Sequence, residues 1–416
     1  MMKRQILMVA SLLAAGAVSA NGYKILCVRS AKATAMGEAF IVQADDPSAV
    51  AFNPAGLPDL RGVQISLQGT LCNAYTERTS PTGVGTDMED EWQLVPSFFG
   101  TWDMGTERLT LGFGVSLPNG LASRWSDDSF AGYAGYYSSL MIADYTVALG
   151  YRVTDRLSIG AGLDYYVSEL DQRQRLPGAL LSIFPDPYAY VEGSGEAWGF
   201  NVGVRYELNE RHSVAATYRK AFTVDYDGDL TLGGTGFFDG AYDLETSFDY
   251  PGSVVLGYAY RPNDTWTFEV NVDWTHWSQV DDVVLEVPAL AASPLASLAP
   301  GGQIRIERDY ENTLAYKFGV QYQYSEALAL RAGYIYNENA TPDALWYPTQ
   351  PDTDMHFFTV GFGYELTENV SVETALQVVY YETRDVDSDA SAPLGDVDGT
   401  YRTWAPCFTL GVTCRF

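Results

Sequence analysis

Basic residues, histidine, cysteine and long apolar runs are all scarce in this chain of 416 residues. Lys and Arg total 25 against 53 Asp and Glu, a formal net charge of −28, and a surface of that sign repels phosphate backbones, so nucleic acid is excluded as a partner. The three histidines, His212, His276 and His356, fall at a turn, near a loop base and near a strand start, which gives a Ser-His hydrolase no foothold. The reading is of a protein that is not an enzyme, with no catalytic residue, cofactor or metal assigned. Asp225, Asp227 and Asp229, and likewise Asp385, Asp387 and Asp389, open like a calcium loop, but the sixth positions are Leu230 and Ala390 and the twelfth are Gly236 and Asp396. That is the pattern of solvated loop charge, with at most loose divalent binding beside anionic lipopolysaccharide. Beyond the first 20 residues no stretch of about 18 apolar residues occurs, which rules out a transmembrane helix.

What the chain does have is glycine (39), tyrosine (29) and alternation. Lys3 and Arg4 precede the apolar run Ile6 to Ala15, and Val18-Ser19-Ala20 supplies the small residues of a cleavage site, so residues 1–20 read as a signal peptide. From about residue 62 onward, runs of ten or more residues place apolar side chains at every second position. Trp198, Phe200, Val202, Val204, Tyr206 and Leu208 interleave with Ala197, Gly199, Asn201, Gly203, Arg205 and Glu207; Trp266 to Trp274 and Leu314 to Tyr324 repeat the pattern. Such strands have one greasy and one polar face, and they approach the 9–11 residues that cross a bilayer at a tilt. Six short polar breaks, near 105–107, 154–155, 209–211, 262–264, 325–326 and 367–368, alternate with seven long connections at about 77–91, 118–138, 171–195, 225–244, 278–311, 340–352 and 386–400. Thirteen connections give about 14 strands, an all-β transmembrane antiparallel β-barrel over 62–416 in a bacterial outer membrane. Trp404, Phe408, Leu410, Val412 and Phe416 end the chain as an assembly signal for the barrel-assembly machinery would.

A barrel this wide needs a plug or is a channel. Residues 21–61 lack the strand pattern and are rich in small side chains, the composition of an N-terminal hatch. By parity Gly112, Gly114, Gly160, Gly162, Gly361 and Gly363 face inward and leave it room.

At this segment the chain resembles the FadL-type outer-membrane transporters of long-chain fatty acids and other hydrophobic compounds. The resemblance rests on Gly37-Glu38-Ala39-Phe40, Ala44 to Ala49, and Asn53-Pro54-Ala55-Gly56-Leu57. It continues through Leu117-Pro118-Asn119-Gly120-Leu121, Tyr250-Pro251, Asp273-Trp274-Thr275 and Arg331-Ala332-Gly333-Tyr334. It implies passive uptake: capture in a greasy groove between outer loops, binding in the lumen beside the N-terminus, and release, laterally through the wall, once the hatch shifts. Groove candidates are Leu176, Leu180, Leu181, Ile183 and Phe184 in the third long loop, with Leu230, Leu232, Phe237 and Phe238 in the fourth. Tyr23 occupies the position of the family's aromatic residue near the mature N-terminus, and Asn53, Pro54, Ala55 and Gly56 would border the ligand's exit. Arg205, Lys317 and Arg331 face inward by parity; they either meet a carboxylate head group or pair with Asp164, Glu269, Asp273 or Glu373. A porin for polar solutes, or a structural or adhesive barrel, is the rival class.

An exported protein is expected to oxidise its cysteines. If the first and last strands meet, Cys72 and Cys407 come level and inward, within disulfide reach; Cys27 in the hatch could capture either, and Cys414 faces lipid.

Overall fold

Strands with one apolar face must hide it, and a sheet that closes on itself with the apolar face outward does so in lipid while leaving no unpaired edge. The computed structural model describes residues 24–416 apart from 177–186, 237, 292–298, 350–351 and 388–396. Its wall begins with β1 (Val63–Cys72, extended by Tyr75–Thr79), β2 (Gln93–Trp102), β3 (Leu109–Arg124), β4 (Tyr137–Arg152) and β5 (Leu157–Arg175). Next come β6 (Tyr188–Asn209), β7 (His212–Arg219 with Phe222–Gly233), β8 (Gly240–Tyr250 with Ser253–Tyr260) and β9 (Trp266–Thr275). The circuit ends with β10 (Thr313–Gln323), β11 (Leu328–Asn337), β12 (Met355–Thr367), β13 (Val370–Tyr381) and β14 (Gly399–Arg415). Each strand pairs antiparallel with the next, and β1 closes on β14 from Gln64 opposite Arg415 to Cys72 opposite Cys407. The fourteen-strand barrel is therefore closed.

All six short polar breaks fall at the turns between paired strands. Four of the long connections, those expected at 77–91, 118–138, 171–195 and 225–244, are shorter than the sequence suggested, because the ladder runs on into them. β5 has 19 residues and β6 has 22, and they stay paired from Leu157–Tyr206 up to Arg175–Tyr188. Above the membrane the outward face no longer has to be greasy, so the hydrophobic alternation fades while the backbone pairing continues. In the membrane zone it is kept strictly: Trp198, Phe200, Val202, Val204 and Tyr206 are exposed on the outside, and Asn201 and Arg205 between them are buried inside.

Residues 24–61 lie within the lumen. They form two short helices, α1 (Ala31–Ala35) and α2 (Ala49–Phe52), and a 3₁₀ turn, Pro54–Asp59. Helices of five and four residues cannot hold themselves in water, so the wall fixes them. Lumen side chains satisfy the backbone of this segment. Glu269 accepts from Val42 N (2.8 Å) and Gln43 N (2.9 Å), Asn271 from Phe40 N (3.0 Å), and Gln68 from Ala31 N (2.7 Å). Wall glycines admit it where any side chain would clash: Gly112 and Gly114 face Val50, Gly160 faces Pro54 and Ala55, and Gly361 faces Ala35. Gly333 meets Gly37, whose φ of 58° suits glycine. Gly162 and Gly363 instead make room for the side chains of Asn201 and Glu373.

The seam between β1 and β14 carries a disulfide, Cys72–Cys407, with Cα atoms 4.3 Å apart. Cys27, in the lumen segment, is a free buried thiol, and Cys414 is free and half-buried.

Candidate functional site

Between β2 and β3 the wall has a stretch where neighbouring strands are not hydrogen-bonded. β2 and β3 pair only from Trp102–Leu111 to Phe98–Val115, although β2 continues to Gln93 and β3 to Arg124. The cause is written in the residues. Pro96 and Pro118 stand on the two facing edges and have no N–H to give, and the β3–β4 register slips between Ser116 and Asn119. The lumen segment takes up the loose edge instead: Ile25 N donates to Pro118 O at 2.9 Å, and Lys24 bridges Asn119. Glu89 N closes the top of the gap by donating to Arg124 O at 2.8 Å.

Behind this gap lies a cavity of about 300 Å³. Its lining is mainly apolar, from Leu26 and Val28 of the lumen segment, Leu94 and Leu117 at the gap, and Phe357 and Val379 across the lumen. The Cys72–Cys407 bond forms part of its wall. A second cavity, of about 90 Å³, adjoins it at Lys24 and Asn119 and is far more charged, with Arg29, Glu38, Arg219, Asp273 and Lys317 around Phe52, Phe222 and Tyr250. A third, of about 180 Å³ near the short-turn end, is polar and holds Lys32, Asp45, Arg331 and Glu373.

The lumen cations anticipated from parity are inward, buried and paired. Arg205 meets Asp59 of the lumen segment, and Arg331 meets Glu373 and donates to Gln321 Oε1 at 2.7 Å. Lys317 Nζ lies 2.9 Å from Asp273 and 3.1 Å from Glu38. Asp164 pairs with none of the three; with Asp144 it holds Arg219, at 2.8 and 3.0 Å. Glu269 makes no ion pair with them either, since its oxygens serve the lumen amides. Sequence reasoning missed Lys24, Arg29, Glu38 and Arg219. The first three lie in a segment with no periodicity from which to read a facing direction. Burial opposes ionisation of Glu38, but the charges of Lys317 and Arg29 outweigh it and hold the carboxyl below its ordinary value. Asp45 is likewise brought down to about 2 by the charge of Lys32, 2.8 Å away. Burial pushes the Cys27 thiol well up.

The Asn53-Pro54-Ala55-Gly56 turn stands elsewhere. Asn53 caps the 3₁₀ turn by accepting from Ala55 N (3.0 Å), and its amide donates to Ile41 O (2.7 Å). Pro54 and Ala55 press on Gly150 and Gly160 of β4 and β5, and Gly56 is needed against Ala44 of its own segment, not against the wall. None of the four lines the three cavities described above; the residues bordering the gap are Lys24 to Val28. Of the loop groove, Leu230 and Leu232 are buried in an apolar cluster with Leu244 and Tyr226, against which Leu176 packs. Phe238 is half-buried and its carbonyl accepts from Tyr242 Oη at 2.9 Å. Tyr23, Leu180, Leu181, Ile183, Phe184 and Phe237 lie outside the described residues.

The family model for outer membrane protein transport proteins (OmpP1/FadL/TodX) matches residues 7–416. The chain belongs to this family. It is an outer-membrane channel of the class that conducts hydrophobic compounds. Among relatives of this OmpP1/FadL/TodX protein, outer membrane protein P1 of Haemophilus influenzae is 25% identical over 94% of this chain and 93% of its own. The long-chain fatty acid transport protein of an Escherichia coli O6:H1 strain is 22% identical over 65% of this chain and 66% of its own. In fold it matches a Pseudomonas aeruginosa FadL homologue with a TM-score of 0.80 at 19% identity, covering 95% of this chain and 100% of that one. It also matches the Pseudomonas putida toluene transporter TodX, at 0.72 and 18% identity, over 94% and 99%.

Proposed function

We propose that this barrel takes up long-chain fatty acids or chemically similar amphiphiles and releases them sideways into the membrane between β2 and β3. The observation that carries the reading is the continuity of the apolar cavity with the unpaired stretch of wall: Leu94 and Leu117 belong to both. An apolar solute leaving there passes from a greasy cavity to lipid without crossing water, and each CH₂ kept dry saves about 0.8 kcal/mol. A straight path down the lumen would instead cross the hatch of residues 24–61 and the polar cavity around Arg331. Lys24 to Val28 form the inner sill of the gap, so a shift of this stretch would gate it. The relatives named for fatty acids and for toluene support the substrate class. The porin alternative predicts an open polar lumen, whereas here residues 24–61 occupy it.

The test is transport into liposomes carrying the purified barrel, with radiolabelled oleate and with a labelled sugar. Oleate is expected to equilibrate many times faster than into empty liposomes, and the sugar no faster. Sugar flux without oleate flux would overturn the reading.

A further inference from the structure

Two side chains on the wall of the large apolar cavity each carry a polar atom that nothing satisfies. Asn73, between the two parts of β1, and Gln377 of β13 both line it, and they are only 3% and 4% exposed. They flank the Cys72–Cys407 bond: Gln377 stands opposite Cys407 in the β13–β14 register, and Asn73 follows Cys72. The Gln377 amide nitrogen lies 3.6 Å from Cys407 Sγ, the orientation a disulfide sulfur requires because it has no proton to give, so Gln377 Oε1 is left without a donor. Asn73 Oδ1 accepts from Glu91 N at 3.3 Å, and its Nδ2 is left without an acceptor. Buried polar groups are nearly always hydrogen-bonded, because a bare one forfeits its hydration and gains nothing in return. One free acceptor and one free donor on the wall of a single apolar cavity call for a molecule that brings the complementary pair.

Both groups are uncharged, and that narrows the ligand. A carboxylate has no proton for Gln377 Oε1, whereas an alcohol or an undissociated carboxylic acid both donates and accepts. Position in the wall adds a second argument. The last rung between β1 and β2 joins Cys72 to Gln93, so Asn73 stands where the two strands part, and it holds Glu91 at the head of the unpaired stretch of β2. An ion passing from there into hydrocarbon would carry the cost of an unpaired charge, and a neutral hydroxyl far less.

We propose that Asn73 and Gln377 are specificity-determining residues that select an uncharged, hydroxyl-bearing ligand, a long-chain alcohol or an undissociated fatty acid, at the point where it leaves through the wall. This deepens the uptake reading above and rests on it. The ligand's hydroxyl donates to Gln377 Oε1 and its oxygen accepts from Asn73 Nδ2, while the tail lies among Leu26, Val28 and Phe357. The wall cations Arg205, Lys317 and Arg331 take no part, since each is already paired within the protein. An acid taken up by this route crosses in its protonated form and gives up its proton only after release.

The experiment is calorimetric titration of the full barrel in detergent micelles with three uncharged ligands of one chain length, each corrected for partition into empty micelles. Oleyl alcohol donates and accepts, oleyl methyl ether only accepts, and octadecene does neither. At about five-fold in affinity for each hydrogen bond gained, the alcohol is expected to bind about ten-fold or more tightly than octadecene, with the ether between them. Gln377→Met keeps the length of the side chain without its amide; it should bring the alcohol down to the ether while leaving octadecene affinity within about two-fold. Folding of the variant is checked by its heat-modifiable migration. Oleyl alcohol binding no tighter than octadecene in the unaltered protein overturns the selection without needing any variant, as does an undiminished preference for the alcohol over the ether in folded Gln377→Met. Failure of all three ligands to bind the unaltered protein instead overturns the uptake reading beneath it.

Discussion

Single residues here divide into those that hold the lumen segment and those that leave something open. Ala55 belongs to the first kind: it is fully buried, and its amide is packed over Gly160 while bonded to Asn53. Ala55→Phe has no space on either side, so the expected result is loss of heat-modifiable folded barrel rather than a folded barrel with slow uptake. Semi-native electrophoresis of the variant checks this. Acid should loosen the same segment. The folded-state values of Glu38 and Asp45 lie below those of the free side chains, so their ion pairs contribute stability that is fully present above about pH 4.5. That contribution is lost as pH falls toward the Asp45 value of about 2. Cys27 reports the change: buried, free and with its thiol pushed up, it should resist maleimide at neutral pH. After incubation at pH 3 and return to neutrality in the presence of the reagent, it should label measurably faster than in protein never acidified.

At the level of the strand, the gap is a property of two prolines and a slipped register. Replacing them gives the facing edges back their N–H groups. The double variant Pro96→Thr, Pro118→Val is expected to extend the β2–β3 ladder beyond Phe98–Val115, raise the temperature at which the folded band is lost, and cut oleate uptake several-fold. Uptake at the original rate in a barrel whose amide exchange shows the extended ladder would separate the gap from the transport route. On the strands the ladder also outruns the alternation. Residues 171–175 and 188–195 continue the β5–β6 ladder, but the outward-facing Asp171, Arg173 and Glu192 lie outside the lipid zone, where alternation is no longer enforced.

For the whole molecule the decisive event is closure of β1 on β14, which joins residues 335 apart in sequence. Cross-linking so long a loop restricts the unfolded chain by roughly 6 kcal/mol in the chain-entropy account. Reduction of Cys72–Cys407 is therefore expected to lower the temperature at which the folded band converts to the unfolded one, without changing its mobility when folded. Cys72→Ser with Cys407→Ser should behave like the reduced protein.

Barrel, strand count and outward face were legible in the chain because lipid imposes a local rule: every second residue on a membrane strand must be apolar, and turns must be polar. Parity then carried far enough to place Arg205, Lys317, Arg331 and several of the glycines inside, and to bring Cys72 level with Cys407. Parity says which way a side chain points, not what waits for it there. That Arg205 meets Asp59, that Lys317 meets Glu38, and that Arg29 lies over Phe52 with Glu38 3.7 Å away depend on where residues 24–61 settle, and this segment has neither alternation nor helical period to announce it. Its path is set by contacts with strands from β1 to β14, hundreds of residues away in sequence. The polar faces and the two prolines were decided by local chemistry; the cavities and the ion pairs between segment and wall exist only because a non-periodic segment was packed inside a closed wall.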